Sequence, residues 1–482
     1  MKKRILTAVV SAALIIPSAA MAFPTVFPHG TTIYKPEKCD SGYTLFGTEK
    51  EGEGTVLIDM NGHVVRQWKD IGNAEHPPKF LQGGFLMGAR RSSIEKKGRI
   101  WGDEMSTDLV VVDFKGKIVR TIPRAGMHHD YQVEGNPVGY HAPGMPVAKK
   151  DGKILILSHK LTQNLEITKK SLYDDYIVEV DKKGNIIWEW LASDHVKEMN
   201  LPEEVTKTMR KHPTYSMTRT PGVKGGDWIH VNAASYLGPN HWFSKDPVKY
   251  AVFNPANIII SNRQLNTSCI IEKSTGKIVW QIGPLYYKNI QWTFGGKVYK
   301  KAYKKLGQII GQHHTHMIPK GLPGAGNIMI YDNGGYAGYG PKNPGAHYGW
   351  SNARRDYSRV IEINPVTLKI VWEHSAKTMG MRNKYQFYSD YVSSAQRLPN
   401  GNTLITNGAV GQFQEVTPDH EIVWEYISPY YTPNGKYNLV YRAYRVPYDY
   451  VPQLNKPAEN AVIPPMNTDF RIEPVKTDNK EE

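Results

Sequence analysis

The motif Lys277-Ile278-Val279-Trp280 is the clearest clue to the fold of this chain, because it recurs with substitutions and is present in six copies. The other copies are Val64-Val65-Arg66, Ile118-Val119-Arg120, Ile186-Ile187-Trp188, Ile370-Val371-Trp372 and Ile422-Val423-Trp424. A second β-rich run and a turn precede each copy, so each predicts the later strand of a hairpin. Four of the turns contain Gly62, Gly116, Gly184 or Gly276, and the last two have Leu368 and His420 at that position.

Six hairpins along one chain are typical of a radial repeat in which each hairpin belongs to one blade. The sequence therefore predicts an all-β fold, a six-bladed β-propeller. Five complete blades fit between about Glu75 and Tyr426. We expect the sixth blade to join the C-terminal run 439–444 to N-terminal strands near 43–45, 56–58 and 64–65. Such a shared blade closes the ring and removes exposed sheet edges.

The N-terminus has the pattern of a signal peptide. Lys2, Lys3 and Arg4 precede an apolar stretch at 5–16, and Ala20-Met21-Ala22 is a small-x-small cleavage site. The predicted organisation is a signal peptide at 1–22, a lead-in at 23–42, the propeller at 43–450 and a C-terminal tail at 451–482. We expect an exported, periplasmic protein without a membrane span, since no other run approaches about 20 apolar residues.

The formal net charge of +15 includes three positive residues of the predicted signal. A basic surface favours anionic small molecules, and without a nucleic-acid-reading motif we expect no nucleic-acid partner. The lysine-rich insertion is interpreted as a solvated helix face; it contains Lys297, Lys300, Lys301, Lys304 and Lys305. Cys39 and Cys269 are expected to stay unpaired, because the repeat places them on distant blades. The sequence leaves a homo-oligomer open.

Histidines recur where the predicted innermost strands approach the central channel. The approach segments of four successive blades contain His76, His128-His129-Asp130, His230-Val231-Asn232 and His313-His314-Thr315-His316. Repetition at equivalent positions indicates function for His230 and for the 313–316 cluster. A single histidine at a strand end is usually a satisfied structural group, and we interpret His76, His141 and His159 in that way.

Three kinds of function fit such a cluster of imidazoles. Three or more neutral rings can bind a transition metal, which would make a metal-dependent enzyme. The same rings can bind an oxyanion and move protons near neutral pH. A non-catalytic propeller that binds an anionic ligand is the third alternative. No HExxH, paired CxxC, Gly-x-Ser-x-Gly or Walker pattern favours another chemistry.

Several longer motifs point to a family. They are Asp227-Trp228-Ile229-His230-Val231-Asn232, Ile258-Ile259-Ile260-Ser261-Asn262-Arg263, Gly311-Gln312-His313-His314, Asp332-Asn333-Gly334-Gly335, Tyr357-Ser358-Arg359-Val360, Phe387-Tyr388-Ser389 and Tyr441-Arg442-Ala443. With these motifs the chain resembles the bacterial arylsulfate sulfotransferases that work without phosphoadenosine phosphosulfate. The resemblance is dense from about 227 to 426 and weaker over blades one and two. Members of that family are six-bladed propellers.

The resemblance implies ping-pong transfer of a sulfuryl group from a phenolic sulfate ester to a phenol through a sulfohistidine, with no cofactor or metal. His230 matches the family's His-x-Asn histidine, and His313 matches the histidine after Gln, with His314 as the register alternative. The expected catalytic residues are His230, Asn232, His313, His314, His316 and Arg359. The expected substrate-binding residues are His129, Arg263, Asn333 and Arg442.

Two family positions are not matched. Gly335-Tyr336-Ala337-Gly338 stands where family members place an arginine shortly after Asp-Asn-Gly. The family's nucleophilic histidine on blade five falls near Gly411. We expect a histidine at 313, 314 or 316 to act as the nucleophile instead, because neutral imidazole is nucleophilic near neutral pH.

Overall fold

The structure is a computed structural model. It describes residues 28–464 except 49, 51, 74–75, 92–106, 125, 137, 147, 214–225, 285–289, 302–305, 336, 340–354 and 433–434. The predicted signal peptide lies outside the described residues. Within these bounds, no helix has the length and apolar character needed to cross a membrane.

Six antiparallel sheets form a ring, one for each repeated hairpin, which confirms the six-bladed propeller. The lead-in contributes β1 (Gly30–Tyr34), and the closing blade starts with β2 (Tyr43–Gly47), β3 (Thr55–Ile58) and β4 (Val64–Trp68). Blade one contains β5 (Lys79–Leu81), β6 (Phe85–Arg91), β7 (Thr107–Val112) and β8 (Ile118–Arg124). Blade two contains β9 (Met127–Val133), β10 (Ile154–Thr162), β11 (Leu172–Val180) and β12 (Ile186–Leu191), and β13 (Gly226–Asp227) pairs in parallel with β11.

The remaining strands follow the same order around the ring. Blade three contains β14 (Val231–Tyr236), β15 (Ile258–Asn262), β16 (Thr267–Ile271), β17 (Ile278–Ile282), β18 (Ile290–Phe294) and β19 (Lys297–Lys301). Blade four contains β20 (His313–Met317), β21 (Ile328–Asp332), β22 (Arg359–Ile363) and β23 (Ile370–Ser375). Blade five contains β24 (Ser394–Arg397), β25 (Thr403–Asn407), β26 (Gln412–Val416) and β27 (Ile422–Ile427), and β28 (Ala443–Val446) completes the closing blade.

Helical structure in the described residues is limited to connections. The α-helices are α1 (Glu203–Lys211) and α2 (His241–Lys245), and short 3-10 turns lie at Pro36–Lys38, Ala192–His195, Ala251–Phe253, Lys384–Gln386, Gly408–Val410 and Tyr448–Tyr450. The hydrophobic core lies between successive blades: Leu157 of blade two and Ile260 of blade three, for example, belong to one buried cluster. Burial of these apolar strand faces stabilises the ring.

The shared closing blade is confirmed. β28 is its innermost strand and pairs antiparallel with β2, with Tyr43 opposite Val446 and Phe46 opposite Ala443. The strand starts at Ala443, later than the run 439–444 that the sequence predicted. Just before it, Tyr441 and Arg442 use their side chains to bind the backbone oxygen of Asn232.

The hairpin turns share one backbone conformation. The four turn glycines have φ between 72° and 93°, and Leu368 and His420 have φ of 56° and 74°. A register shift follows in the partner strand of all six hairpins. This is a turn closed by a left-handed residue and a β-bulge, which favours glycine. Leu368 and His420 adopt the same left-handed conformation, although their Cβ atoms make it less favourable than it is for glycine.

The last residue of the repeated phrase joins neighbouring blades. Trp188, Trp280, Trp372 and Trp424 each donate the indole N–H to a carbonyl in the next blade's hairpin turn, that of Lys273, Pro365, Pro418 and Met60 respectively. In blade one the guanidinium of Arg120 donates to the carbonyl of Asp181 over 3.0 Å. In the closing blade Arg66 lies over the ring of Phe114. The repeat is therefore a chain of contacts that runs from blade to blade around the ring.

Three further features concern the edges of the ring. β1 pairs with β27 and adds a fifth strand to blade five, which the sequence analysis did not predict. The lysine-rich insertion is not a helix face: Lys297 to Lys301 form β19, which pairs with β18 and widens blade three to six strands. The interpretation was wrong because the alternation of Lys297, Tyr299 and Lys301 has the period of a strand. Lys304 and Lys305 lie outside the described residues. Cys39 and Cys269 are both free thiols, as expected.

Candidate functional site

Near the start of the innermost strand of three blades, a histidine adopts the left-handed backbone conformation. His129, His230 and His314 have φ of 53°, 50° and 49°, and Val392 and Ser393 have φ of 51° and 87° at the start of blade five's strand. The pairing registers of β9, β14 and β20 shift beside these histidines. Residues other than glycine seldom adopt this conformation, and such strain concentrates at functional sites. Because the backbone kinks there, alternation along the strand does not decide where these side chains point.

Three histidines and a tyrosine meet near the starts of the innermost strands of four blades, and we call His129, His230, His313 and Tyr441 the axial histidine site. The ring centroids of His129 and His230 are 4.8 Å apart. The ring of Tyr441 lies 5.7 Å from that of His129 and 5.7 Å from that of His313, edge-on in both cases. Burial, followed by the charges of neighbouring groups, lowers the pKa of His129 and of His313 well below the ordinary histidine value. Both rings are therefore neutral at pH 7.

His230 is paired with a carboxylate. Its Nδ1 lies 2.5 Å from Oδ2 of Asp227, which is on β13. Burial would raise the pKa of Asp227, but the adjacent His230 outweighs it and the pKa is lowered. An ionised carboxylate only accepts hydrogen bonds, so Nδ1 of His230 donates to Asp227.

His313 has an equally defined tautomer. Its Nδ1 lies 2.7 Å from Oδ1 of Asn333. The amide nitrogen of Asn333 donates to the carbonyls of Ser389 and Val392, each over 2.8 Å. Because those two bonds fix the orientation of the amide, its oxygen faces His313 and accepts a hydrogen bond from the Nδ1–H group. The lone pair of His313 is therefore on Nε2.

The other two histidines of the cluster use their lone pairs in hydrogen bonds. His314 Nδ1 accepts from the backbone N–H of Ala395 over 3.3 Å. His316 Nδ1 lies 2.8 Å from the carbonyl of His314 and must donate to it, so Nε2 accepts from the hydroxyl of Tyr140 over 2.9 Å. Burial lowers the pKa of His316 to about 4. These contacts favour a positioning role for both rings.

A network of buried polar groups links the closing blade and blades one to four near the axial histidine site. Oδ2 of Asp130 accepts from the guanidinium of Arg442 over 2.9 Å, and Oδ1 accepts from the ammonium of Lys79 over 2.6 Å. Burial would raise the pKa of Asp130, but Arg442 and Lys79 outweigh it and the pKa is lowered. Arg442 also donates to the carbonyl of Asn232 over 2.9 Å. The side chain of Asn232 donates to the carbonyl of Gln312 over 2.8 Å, so it spans blades three and four.

Two of the three expected arginines, Arg263 and Arg359, occupy different places. Arg263 donates its backbone N–H to the carbonyl of His230 over 3.1 Å, and after burial its charge is the largest influence that lowers the pKa of His313. Arg359 is on the third strand of blade four, where its Nε donates to Oδ2 of Asp332 over 2.8 Å. Its terminal nitrogen donates to the carbonyl of Leu306 over 2.6 Å. Arg263 is therefore close to the axial histidine site, whereas the guanidinium of Arg359 is hydrogen-bonded to Asp332 and Leu306 on blade four.

The backbone leaves no room for a side chain at Gly411 or at Gly335, two glycines of the segments where the family residues are not matched. Gly411 has φ of 60°, and a Cβ there would lie 2.2 Å from the carbonyl oxygen of Asn438. A Cβ at Gly335 would lie 1.8 Å from the carbonyl oxygen of Asp390. The backbone around these glycines therefore excludes both a histidine at 411 and an arginine at 335.

Sequence reasoning missed several residues of the site. Asp227, Asp130 and Tyr441 contact expected residues and Lys79 contacts Asp130, although none of the four was assigned a role. Asp227 stands three residues before His230, a spacing that could have drawn attention to it. Lys79 and Asp130 are 51 positions apart, so no local pattern connects them. His76 contacts Asn73 and the carbonyl of Met127, in agreement with a structural role.

One group in the described residues has the arrangement of a metal site. His128, His159 and Asp175 bring one ligand atom each to within 4.8 Å of one another. The group contains none of His230, His313, His314 and His316, the histidines from which the sequence suggested a metal-dependent enzyme.

Comparison with known proteins identifies one family. Residues 31–434 match the family model described as Arylsulfotransferase (ASST). The comparison with curated proteins gave no match. Similar solved structures include a protein of unknown function from Bacteroides caccae, which is 10% identical, with 84% of this chain and 99% of that chain covered and a TM-score of 0.40. A streptogramin B lyase is 12% identical, with 87% of this chain and 94% of that chain covered and a TM-score of 0.35. Apo AztD from Citrobacter koseri is 9% identical, with 84% of this chain and 98% of that chain covered and a TM-score of 0.35.

Proposed function

Because the chain belongs to the arylsulfotransferase family, we propose that it transfers a sulfuryl group from a phenolic sulfate ester to a phenolic acceptor. The axial histidine site is the proposed reaction centre. Sulfuryl transfer needs a nucleophile with an available lone pair and positive charge near the sulfuryl oxygens. The histidines and Arg263 offer both within one buried region.

The proposed nucleophile is Nε2 of His313. It attacks sulfur, the S–O bond to the aryl group breaks, and the aryl oxygen leaves with the bonding electrons. The sulfohistidine then reacts with the acceptor phenol: a new S–O bond forms, the N–S bond breaks, and the ring of His313 is neutral again. Asn333 accepts a hydrogen bond from the Nδ1–H group during both steps. This bond stabilises the positive charge that develops on the ring during attack.

His230 is the proposed acid and base. When protonated on both nitrogens it gives the Nε2 proton to the leaving phenolate, and it later takes a proton from the acceptor phenol. Asp227 holds Nδ1 and stabilises the charged ring, as the carboxylate of a catalytic triad does. Arg263 is the proposed cation for the sulfuryl oxygens. His129 and Arg442 are proposed to bind the substrate.

The tautomer of His313 is the observation that supports this proposal. Asn333 leaves the lone pair of His313 on Nε2, whereas hydrogen bonds occupy the lone pairs of His314 and His316. Since the backbone at Gly411 excludes the family's usual nucleophile, the reaction needs a replacement. Of the three candidates from the sequence, His313 alone has a lone pair that these hydrogen bonds leave available.

Mass spectrometry after incubation with 4-nitrophenyl sulfate tests the proposal. We expect one added sulfuryl group on the peptide from Gln312 to Lys320, with the modified atom on His313. The variant His313→Gln should lose the adduct and all transfer to phenol. His314→Gln should keep the adduct, because His314 is assigned a positioning role.

The matched control is His76→Gln, which changes a buried histidine near the inner strands but outside the axial histidine site. It should keep most of the activity. An adduct that persists in His313→Gln would show that another residue is the nucleophile. Transfer without any covalent adduct in rapid-quench samples would refute the ping-pong mechanism.

The cellular location belongs to the same proposal. The signal-peptide pattern at 1–22 favours export to the periplasm, where aryl sulfates and phenols would be the small-molecule partners. N-terminal sequencing of the protein from a periplasmic extract should start at Phe23. A start at Met1 would contradict cleavage.

A further inference from the structure

A second group of polar side chains lies behind the axial histidine site, on blade two. His128 is on β9, His159 is on β10, and Asp175 is on β11 directly opposite His159. Oδ1 of Asp175 is 3.4 Å from Nε2 of His128 and 3.7 Å from Nε2 of His159. The two imidazole rings are stacked with centroids 3.7 Å apart. Three strands of one sheet therefore bring two ring nitrogens and a carboxylate oxygen within 4.8 Å of one another. Binding of one ion by both imidazoles requires one ring to turn out of the stack, because the lone pair of an imidazole nitrogen lies in the plane of its ring.

A second carboxylate borders the same point. Oδ1 of Asp227 is 3.8 Å from Nε2 of His159. Nε2 of His128, Oδ2 of Asp175 and Oδ1 of Asp227 are all buried and accept or donate no hydrogen bond within the described structure. Buried carboxylates and imidazoles are normally hydrogen-bonded, because an unsatisfied polar atom costs about 1–3 kcal/mol. A cation at this point would satisfy several of these atoms at once.

The donor set identifies the kind of cation. Two neutral imidazoles with one or two carboxylates suit zinc and other divalent transition metals, whereas calcium and magnesium prefer oxygen ligands alone. Ligand atoms of a tetrahedral site with bonds near 2.0 Å are roughly 3.3 Å apart. The separations of 3.4 Å and 3.7 Å are close to this value.

We propose that His128, His159 and Asp175, with Asp227 at the border, bind one divalent transition-metal ion of the zinc class. This ion lies beside the axial histidine site, so the proposal does not rest on sulfuryl transfer. It assigns a ligand role to His159, which the sequence analysis interpreted as structural.

The ion would position the axial histidines. Asp227 holds His230 with its other oxygen, and Nδ1 of His128 lies 2.8 Å from Nδ1 of His129. With Nε2 of His128 on the metal, its Nδ1 carries the proton and donates to His129. That hydrogen bond fixes the tautomer of His129, and the metal fixes the orientation of Asp227. The ion would therefore act on the reaction only indirectly, through the tautomer of His129 and the orientation of Asp227.

Calorimetric titration with Zn²⁺ tests the proposal on the full chain after treatment with a chelator. We expect one ion per chain. His159→Gln and Asp175→Asn each remove a ligand and should weaken binding by more than about 100-fold, the upper end of the effect of residues that only contact a ligand. The matched control is His313→Gln, another buried histidine of the inner strands, and it should bind Zn²⁺ with unchanged stoichiometry and affinity.

The outcomes separate this site from its neighbour. Absence of Zn²⁺ binding by the parent chain, or full binding by either ligand variant, would overturn the proposal. Loss of binding in His313→Gln would also overturn it, because the ion would then belong to the axial histidines. If circular dichroism shows that a ligand variant is unfolded, the Co²⁺-loaded parent decides: visible bands of four- or five-coordinate cobalt support the site, and the spectrum of hydrated Co²⁺ refutes it.

Discussion

At the scale of single residues, the described part of the chain uses buried histidines in two ways. In the axial histidine site, His230 and His313 donate hydrogen bonds from Nδ1 to Asp227 and Asn333, and these bonds fix the orientation of the two rings. A buried ring outside this site can lack such a carboxylate or amide partner. His374 on β23 lies against His420, with Nδ1 atoms 3.3 Å apart, and its Nε2 is buried without a hydrogen bond.

His374 should make stability depend on pH. Burial, together with His420, lowers its pKa to about 3. Below the unfolded value of about 6.5, the unfolded chain binds a proton at this position and the folded chain does not. Stability is therefore lost as the pH falls from about 6.5 to about 3, by up to about 1.4 kcal/mol per pH unit for this one group. Urea unfolding of the parent and of His374→Gln between pH 7.5 and pH 4.5 should show a shallower loss in the variant.

The slopes of the two proteins should coincide above pH 7, where neither state binds a proton at His374. Equal slopes below pH 6 would mean that His374 takes up its proton in the folded state as readily as in the unfolded chain. The absolute stability of the variant does not enter this comparison, because only the change with pH is measured.

At the scale of elements, the repeated hairpin could be predicted from the sequence because its determinants are local. Two strands, a turn residue with positive φ and a terminal tryptophan all lie within about fifteen residues. Leu368 and His420 also have positive φ, like the glycines that they replace, so the turn survives a change of residue type. The lysine-rich insertion was mistaken for a helix because its charges concealed the alternation of a strand. The metal-like group was missed because His128 and Asp175 come together only when β9 and β11 pair with β10.

The repeated tryptophan should contribute to stability according to its burial. Trp280 is fully buried and donates to the carbonyl of Pro365, whereas the equivalent bond of Trp372 to Pro418 is exposed. Trp280→Phe should cost about 1–3 kcal/mol for the unsatisfied carbonyl, and more for the cavity. Trp372→Phe should cost about 1 kcal/mol or less, since water replaces its bond. Urea midpoints of both variants check this order. Equal losses of stability in the two variants would show that burial of the indole contact between blades does not determine its contribution to stability.

At the scale of the whole molecule, the ring closes through contacts that are distant in sequence. Arg442 and Asp130 are 312 positions apart, and Tyr441 reaches Asn232 across 209 positions. The sequence predicted the closing blade from strand patterns at the two ends. It could not predict that the residue before the last strand neutralises a buried aspartate, because that pairing exists only once the ring has formed. Closure and the axial histidine site therefore depend on the same short segment.

Deletion of the chain after Tyr431 tests this dependence. The shortened chain lacks β28, so β2 has an unpaired edge, and it lacks Arg442, so Asp130 keeps only Lys79 as a buried cation. Unpaired edges promote aggregation, and loss of one partner of a buried ion pair costs about 3–5 kcal/mol. We expect an aggregating or unfolded protein by light scattering and circular dichroism. A control chain that ends at Pro464 keeps both features and should melt at the parent temperature. If the chain ending at Tyr431 instead stays monomeric with an unchanged melting temperature, the shared blade does not stabilise the ring.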